Sequence, residues 1–223
     1  MKNGWKRGFG AVAVVAAGLL VAGGAVAVAE AAHGGHAKRH AVKQLVRLGV
    51  HADVSLVRAD GTTDAFAVDR GQVTVASAAS LTLQRRDGKT VKLGLSSSTI
   101  VRGTIAIGKP ALALSRNGVA FRIRAPGARM APPVAQATAK AKVVHLQVNF
   151  VRADGSTGAV TLDRGQVTAT SSTSLTIKRE DGKSVTFTIG TGALIRGKLA
   201  VGGRALVFSQ NGAALRVLAR ASA

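Results

Sequence analysis

The chain contains no cysteine, no tyrosine and only one tryptophan, and aromatic residues make up 3% of its 223 residues. Without cysteine, it has no disulfide, no thiolate metal ligand and no cysteine nucleophile. Aromatic side chains line many small-molecule pockets, so their scarcity argues against a large enzyme pocket. Acidic residues are also few, since ten Asp and Glu stand against 31 Lys and Arg, for a net charge of +21. This spread positive charge favours loose association with an anionic polymer or membrane surface, and it is equally what a soluble β protein carries.

Residues 1–29 predict an export signal or a membrane anchor. The segment begins with Lys2, Lys6 and Arg7, and no further charged residue precedes Glu30. Its uncharged run ends in Ala-Val-Ala, which suits cleavage before Glu30. The run is also long enough to cross a bilayer as a helix, so a retained anchor stays open. Both alternatives place the rest of the chain outside the cytoplasm, either secreted or anchored to the cell membrane.

Residues 30–50 form a basic segment that contains His33, His36 and His40. Three imidazoles can bind a metal ion, but only one carboxylate accompanies them, and a flexible basic tail has the same composition. We favour the tail, and we predict no metal site and no cofactor. Residues 41–48 form either two helical turns or an extension of the first strand.

Residues 51–125 and 145–219 are two copies of one sequence, called copy 1 and copy 2 below. They align without a gap, and 36 of 75 aligned positions are identical. The period is too long for a solenoid repeat, so each copy is a candidate small module, the second extending to residue 223. Residues 126–144 between them are rich in Pro, Ala and Lys, which is typical of an exposed linker.

Each copy has three dipeptide signals for a β-hairpin, two Asp-Gly and one Asn-Gly. For Asp-Gly, only a three-residue loop with a left-handed glycine keeps the apolar residues on one face; it pairs Val54 with Phe66, Leu83 with Val91, Ile177 with Val185 and Val148 with Val160. For Asn-Gly, a two-residue type I′ loop pairs Leu114 with Phe121 and Leu112 with Ile123. The glycines assigned to these turns are Gly61, Gly88, Gly118, Gly155, Gly182 and Gly212.

The hexapeptide DRGQVT occurs at 69–74 and again at 163–168. In copy 1 the inward apolar residues before it, such as Phe66, lie at even positions, whereas Val73 and Val75 after it lie at odd positions. A bulge or bend at Gly71, and likewise at Gly165, accounts for this change of phase.

The pattern predicts an all-β fold, since helical periodicity is absent from both copies. In copy 1 strands are expected near 52–58, 62–69, 72–76, 80–86, 89–95, 99–102, 110–116 and 119–125. So many short antiparallel strands in one copy indicate a small barrel or sandwich. The chain is thus expected to be two tandem antiparallel modules after an N-terminal signal or anchor helix.

Five short motifs follow one another in each copy: G-x-V-T, S-L-T-[LI], D-G-K-[TS]-V, [VI]-R-G, and a glycine before A-L. In copy 1 they are Gly71–Thr74, Ser80–Leu83, Asp87–Val91, Val101–Gly103 and Gly108–Leu112. This order resembles a family of bacterial exported β-domains of unknown function. The resemblance implies small barrels related in shape to the OB fold, and no catalytic residues. Lys109 and Gly203 stand where an acidic residue is expected in that family.

One class of function suggested by these observations is a module that binds nucleic acid or another anionic polymer. Arg122 and Arg124 are expected on the outer face of the last strand of copy 1, near Arg116, where they could contact nucleic acid or another anionic polymer. Single-stranded nucleic acid also needs exposed aromatic rings for stacking, and the phenylalanines fall on inward positions. His51 and His145 begin strands with no acidic partner placed beside them.

No hydrolase motif with a nucleophilic serine, a metal-binding helix or paired carboxylates is present. We therefore predict that the protein is not an enzyme. It is expected to be an exported binding or structural element of the cell envelope. An anionic envelope polymer or a membrane surface is its expected partner, in preference to nucleic acid.

Overall fold

The structure, a computed structural model, describes residues 19–22, 25–28, 49–127 and 141–220. Its described elements are all strands, which confirms the all-β prediction. Strands β1 (Leu19–Ala22) and β2 (Ala25–Val28) pair antiparallel. The helix predicted over 1–29 is thus not seen in the described part of that segment. Among the described residues, no helix has the length and apolar character needed to cross a membrane.

Thirteen further strands form one mixed sheet. Copy 1 supplies β3 (Gly49–Arg58), β4 (Thr63–Ala76), β5 (Ser80–Arg85), β6 (Thr90–Gly94), β7 (Ile100–Arg102), β8 (Pro110–Arg116) and β9 (Val119–Arg124). Copy 2 supplies β10 (Ala141–Val151), β11 (Thr157–Thr170), β12 (Ser174–Arg179), β13 (Ser184–Arg196), β14 (Arg204–Gln210) and β15 (Ala213–Arg220). Residues 141–144, expected in the linker, therefore belong to a strand. The histidine cluster, residues 41–48 and most of the linker lie outside the described residues.

The Asp-Gly hairpins have the predicted register. Val54 faces Phe66 and Leu83 faces Val91, and copy 2 has the corresponding pairs. The loop glycines are left-handed, for example Gly61 at φ 83° and Gly182 at φ 85°. A three-residue loop needs this conformation, which costs a residue with a Cβ more than it costs glycine.

The Asn-Gly turns have positive φ at both central residues, for example 50° at Asn117 and 75° at Gly118, as a type I′ turn requires. The pairing predicted beyond this turn was wrong by one residue. A bulge shifts the register between Leu114 and Ser115, so that Leu114 faces Arg122 and Ala113 faces Ile123. The extra residue places Leu114 and Ile123 in different apolar clusters.

The bulge predicted at Gly71 and Gly165 was also wrong. Both glycines lie inside long continuous strands, β4 and β11, and neither has a positive φ. The register shift comes later, between Val73 and Val75 in copy 1, which leaves Val75 51% exposed rather than inward. Glycine is needed at position 71 because a Cβ there would lie 2.5 Å from the backbone oxygen of Gln84.

The long strand β4 changes both its partner and its buried face along its length. Phe66 packs with Leu56 and Leu114, whereas Val73 packs with Leu81 and Leu83, which explains the change of phase in the hexapeptide. Residues 63–69 pair with β3, residues 71–76 pair with β5, and β8 pairs with the opposite edge across both parts. The pairings then continue from β5 to β6, to β9 in parallel and to β8, which returns to β4. Copy 2 repeats this circuit through β11, β12, β13, β15 and β14.

The strands of each circuit contribute residues to one apolar cluster. The cluster of copy 1 contains Val73, Leu81, Leu83, Leu93, Ala111, Ala113, Ala120 and Ile123. The cluster of copy 2 contains Val167, Leu175, Ile177, Phe187, Ala205, Val207, Ala214 and Val217. A third cluster lies on the other side of β8 and joins the copies, because Ala141 of β10 packs with Leu56, Phe66 and Leu114 of copy 1.

Candidate functional site

A buried ionic cluster lies at the junction of β4 and β5. Asp69, the first residue of the hexapeptide, is 2% exposed, and Arg85 at the end of β5 is 6% exposed. Arg85 Nη1 donates a hydrogen bond to Asp69 Oδ1 at 2.9 Å, and its Nε donates to Asp87 Oδ1 at 3.0 Å. Its Nη2 donates to the second oxygen of Asp87. One guanidinium therefore joins a buried carboxylate in a strand to the Asp-Gly turn that follows β5.

Copy 2 contains the same cluster at the corresponding residues. Arg179 Nη1 donates to Asp163 Oδ1 at 2.8 Å, and Arg179 Nε donates to Asp181 Oδ1 at 3.0 Å. Burial alone would raise the pKa of Asp163, but the hydrogen bonds from His145 and Arg179 outweigh it and hold that pKa below its usual value. The same balance lowers the pKa of Asp69. Both carboxylates stay ionised at neutral pH, so they suit a structural role better than proton transfer.

Each cluster also includes a histidine, contrary to the prediction that no acidic partner lies beside it. His51 Nδ1 donates to Asp69 Oδ1 at 2.8 Å, and its Nε2 donates to Asp53 Oδ2 at 3.0 Å. The hydrogen bond to Asp69 is the main cause that raises the pKa of His51 above 6.5, against the opposing effect of burial. A carboxylate on each ring nitrogen favours the imidazolium form of His51.

His145 lacks the second carboxylate. Its Nδ1 donates to Asp163 Oδ1 at 2.7 Å. Gln147 stands where copy 1 has Asp53, and its amide donates to Asn149 Oδ1 at 3.2 Å. Among the contacts of the described residues, Nε2 of His145 therefore has no carboxylate partner. This is the main chemical difference between the two clusters.

The pairing of β3 with β10 brings the two histidines into one polar row. His51 faces Asn149, Asp53 faces Gln147, and Ser55 faces His145. Because copy 2 is offset by 94 residues, His51 faces the counterpart of Ser55, Ser55 faces the counterpart of His51, and Asp53 faces its own counterpart. The seam between the copies is thus self-complementary about the Asp53–Gln147 pair, as in an isologous interface.

A groove of about 410 Å³ lies along this seam. Copy 2 contributes His145, Arg179 and Lys183, and copy 1 contributes polar groups that include Asp53 and Asn117. Its apolar wall comes from β3 and β4 and includes Phe66. The groove therefore combines an apolar wall with several charged groups, as ligand-binding clefts commonly do.

The three arginines of the predicted polymer contact do not form one exposed patch. Arg116 donates to Asp64 Oδ2 at 2.6 Å, and its guanidinium lies 5.8 Å from the centre of the Phe121 ring. Arg122 and Arg124 are half-buried on β9 and face Leu114 and Leu112 of β8. Both also make contacts of their own. In copy 2 their positions hold Arg216 and Leu218.

No exposed aromatic side chain is found in 49–127 or 141–220, where every phenylalanine is buried or half-buried. In the same residues no three His, Asp or Glu side chains are placed to hold a metal ion. The described part of the chain thus offers neither a stacking surface for bases nor a metal centre.

No protein-family model and no curated protein sequence matches the chain. The resemblance to exported bacterial β-domains therefore stays a prediction, and the function must be argued from the geometry of this molecule alone.

Proposed function

We propose that the protein is an exported, non-enzymatic tandem β protein that binds an anionic polymer of the cell envelope through many dispersed cations. One observation carries this proposal: the described carboxylates are occupied inside the molecule. Asp69, Asp87, Asp163 and Asp181 bind buried arginines, and others bind histidine, surface arginine or lysine side chains, or groups of their own turns. Few acids are left to neutralise the surface.

The net positive charge is nearly equal in the two copies. Residues 49–127 carry eleven Lys and Arg and five Asp, for a net charge of +6. Residues 141–220 carry eleven Lys and Arg and four acids, for a net charge of +7. Six exposed lysines stand on the two copies: Lys89, Lys92, Lys109, Lys178, Lys183 and Lys198. Dispersed lysines suit a long polyanion, since each neutralised charge releases counterions.

The circuit of strand pairings supports the further proposal that each copy is a small OB-like barrel. Five strands of copy 1 return to their starting strand, and one of their pairings, β6 with β9, is parallel. A partly open five-stranded barrel of this kind commonly binds oligonucleotides or oligosaccharides on one face. The nucleic acid alternative rests on Arg116, Arg122 and Arg124, and it is weakened by the lack of exposed aromatic rings in the described residues.

The test is a binding titration against a fluorescent carboxylate polymer, such as labelled polygalacturonate, at about 50 and 200 mM salt. We expect binding that weakens steeply with salt and no binding to uncharged dextran. Removing Lys89, Lys92 and Lys109 of copy 1, or Lys178 and Lys198 of copy 2, should weaken binding only in part. Absence of binding at the lower salt would reject the proposed function.

The cellular location needs its own experiment. The mature N-terminus of the protein should be determined after cell fractionation. Export predicts that the chain leaves the cytoplasm and begins either at Glu30 or at the uncleaved start. A full-length chain found only in the cytoplasm would reject this part of the proposal.

A further inference from the structure

We propose that the groove at the seam between the copies is a binding site for a single carboxylate of the anionic polymer, with His145 Nε2 as its donor. This inference rests on the proposed function and adds a specific site to the dispersed charge. It is carried by the difference between His51 and His145.

Copy 1 contains an intramolecular example of the contact. Asp53 places a carboxylate oxygen 3.0 Å from His51 Nε2, while Nδ1 is occupied by the buried Asp69. Copy 2 keeps the histidine and the buried Asp163 but has Gln147 in place of the second carboxylate. The histidine whose Nε2 is bound by Asp53 in copy 1 thus has a counterpart, His145, that lines an open groove.

The remaining groups of the groove fit a carboxylate. Lys183 supplies an exposed ammonium group, and the Asn117 turn brings an amide from copy 1. Asp53 also lines the groove, but its negative charge is compensated by His51. The positive charge of the buried Arg179 is already balanced by Asp163 and Asp181.

The proposed contact requires hydrogen on both ring nitrogens of His145. Because Asp163 accepts from Nδ1, that nitrogen carries hydrogen, and Nε2 can donate only when the ring is an imidazolium. The charged groups around the ring are Asp163 on β11, Arg179 on β12, Lys183 after β12 and Asp53 on β3, with Ser55 directly opposite.

Two matched pairs of variants test the site with tri-galacturonate as the probe. Gln147→Asp gives His145 the internal carboxylate of copy 1, and we expect at least tenfold weaker binding. The reverse variant, Asp53→Gln, frees His51 Nε2 and removes a negative charge from the groove, so binding should become tighter. Lys183→Gln should reduce the affinity several-fold, whereas its counterpart Lys89→Gln should not change it. Equal effects of Lys183→Gln and Lys89→Gln, or no effect of Gln147→Asp, would overturn the proposal and leave only dispersed charge.

A second measurement separates this inference from the proposed function. The imidazole nitrogens of His51 and His145 are followed by NMR while succinate or inorganic phosphate is added to the full chain. We expect the Nε2 resonance of His145 to shift with succinate and that of His51 to stay in place. Shifts with phosphate alone would reject the carboxylate, and no shift would reject the site, even if the long polymer still binds. A succinate shift without polymer binding would reject the proposed function and keep a carboxylate site.

Discussion

Copy 1 and copy 2 hold the same buried ion pair in the same geometry, but they differ in what surrounds it. In each copy an aspartate of the long strand binds an arginine that also reaches the next turn. The histidine beside it is held by two carboxylates in copy 1 and by one in copy 2. The common part is what the fold requires, since it fixes the strand and the turn together. The part that differs is the second carboxylate, because Gln147 stands where copy 1 has Asp53.

Removing the shared aspartate should have the largest effect. Asp69→Ala or Asp163→Ala leaves a buried arginine without one of its carboxylates, and we expect a loss of about 3–5 kcal/mol in the free energy of unfolding. Urea unfolding of the full chain measures this loss. Similar losses for both variants would show that the clusters are equivalent, and a small loss in one copy would break the comparison. As a control, the double change Asp69→Leu with Arg85→Met should recover much of the stability, because no unpaired charge remains buried.

Filling the close approach between the strands should have the next largest effect. A Cβ at Gly71 would contact the backbone oxygen of Gln84, and a Cβ at Gly165 would contact that of Lys178. Gly71→Ala and Gly165→Ala should each lower the free energy of unfolding by roughly 1–3 kcal/mol, because backbone atoms must move apart. Gly190→Ala is the matched control, since nothing lies within 4 Å of a Cβ at that position in β13. If the control variant lost as much stability as the other two, steric contact would not be the cause.

The smallest expected effect concerns the carboxylate that only copy 1 has. The raised pKa of His51 means that its bonds stabilise the fold fully below the unfolded-state pKa of about 6.5, and that this stabilisation is lost as the pH rises through the folded-state pKa. Asp53→Asn should reduce that pH dependence, and it should cost less than about 1 kcal/mol at low pH because Asp53 is half exposed. Urea unfolding from about pH 5 to pH 9 provides the measurement. An unchanged pH profile would mean that the second carboxylate does not hold the imidazolium.

The strands and the Asp-Gly hairpins could be predicted because the evidence for them is local. Alternation along ten residues, with glycine at a known place in a loop, leaves one register that keeps the apolar residues together. The bulge between Leu114 and Ser115 could not be predicted in this way. A single extra residue at Phe121 is compatible with the apolar pattern on either side, and only the packing of Leu114 and Ile123 into separate clusters reveals it.

The ionic clusters were missed because they depend on which strands become neighbours. Asp69 and Arg85 are 16 residues apart, and they meet only because β4 leaves β3 and continues beside β5. A signal was present in the hexapeptide, since its change of apolar phase marks the point where β4 passes from one apolar cluster to another, and the partner changes there too. Because the change of phase was interpreted as a bulge or bend at Gly71, Asp69 was not recognised as a member of a buried cluster.

The seam also bears on how this chain avoids self-association during synthesis. β3 and β10 are ten and eleven residues long, and each has one edge covered by its own hairpin partner. A strand edge of that length, left open, is a template on which further chains can add and aggregate. Here each edge covers the other within one polypeptide, at a local concentration that does not depend on expression level. A nascent chain that has completed only copy 1 exposes the free edge of β3 until β10 pairs with it, so both edges are covered only in a chain that contains both copies.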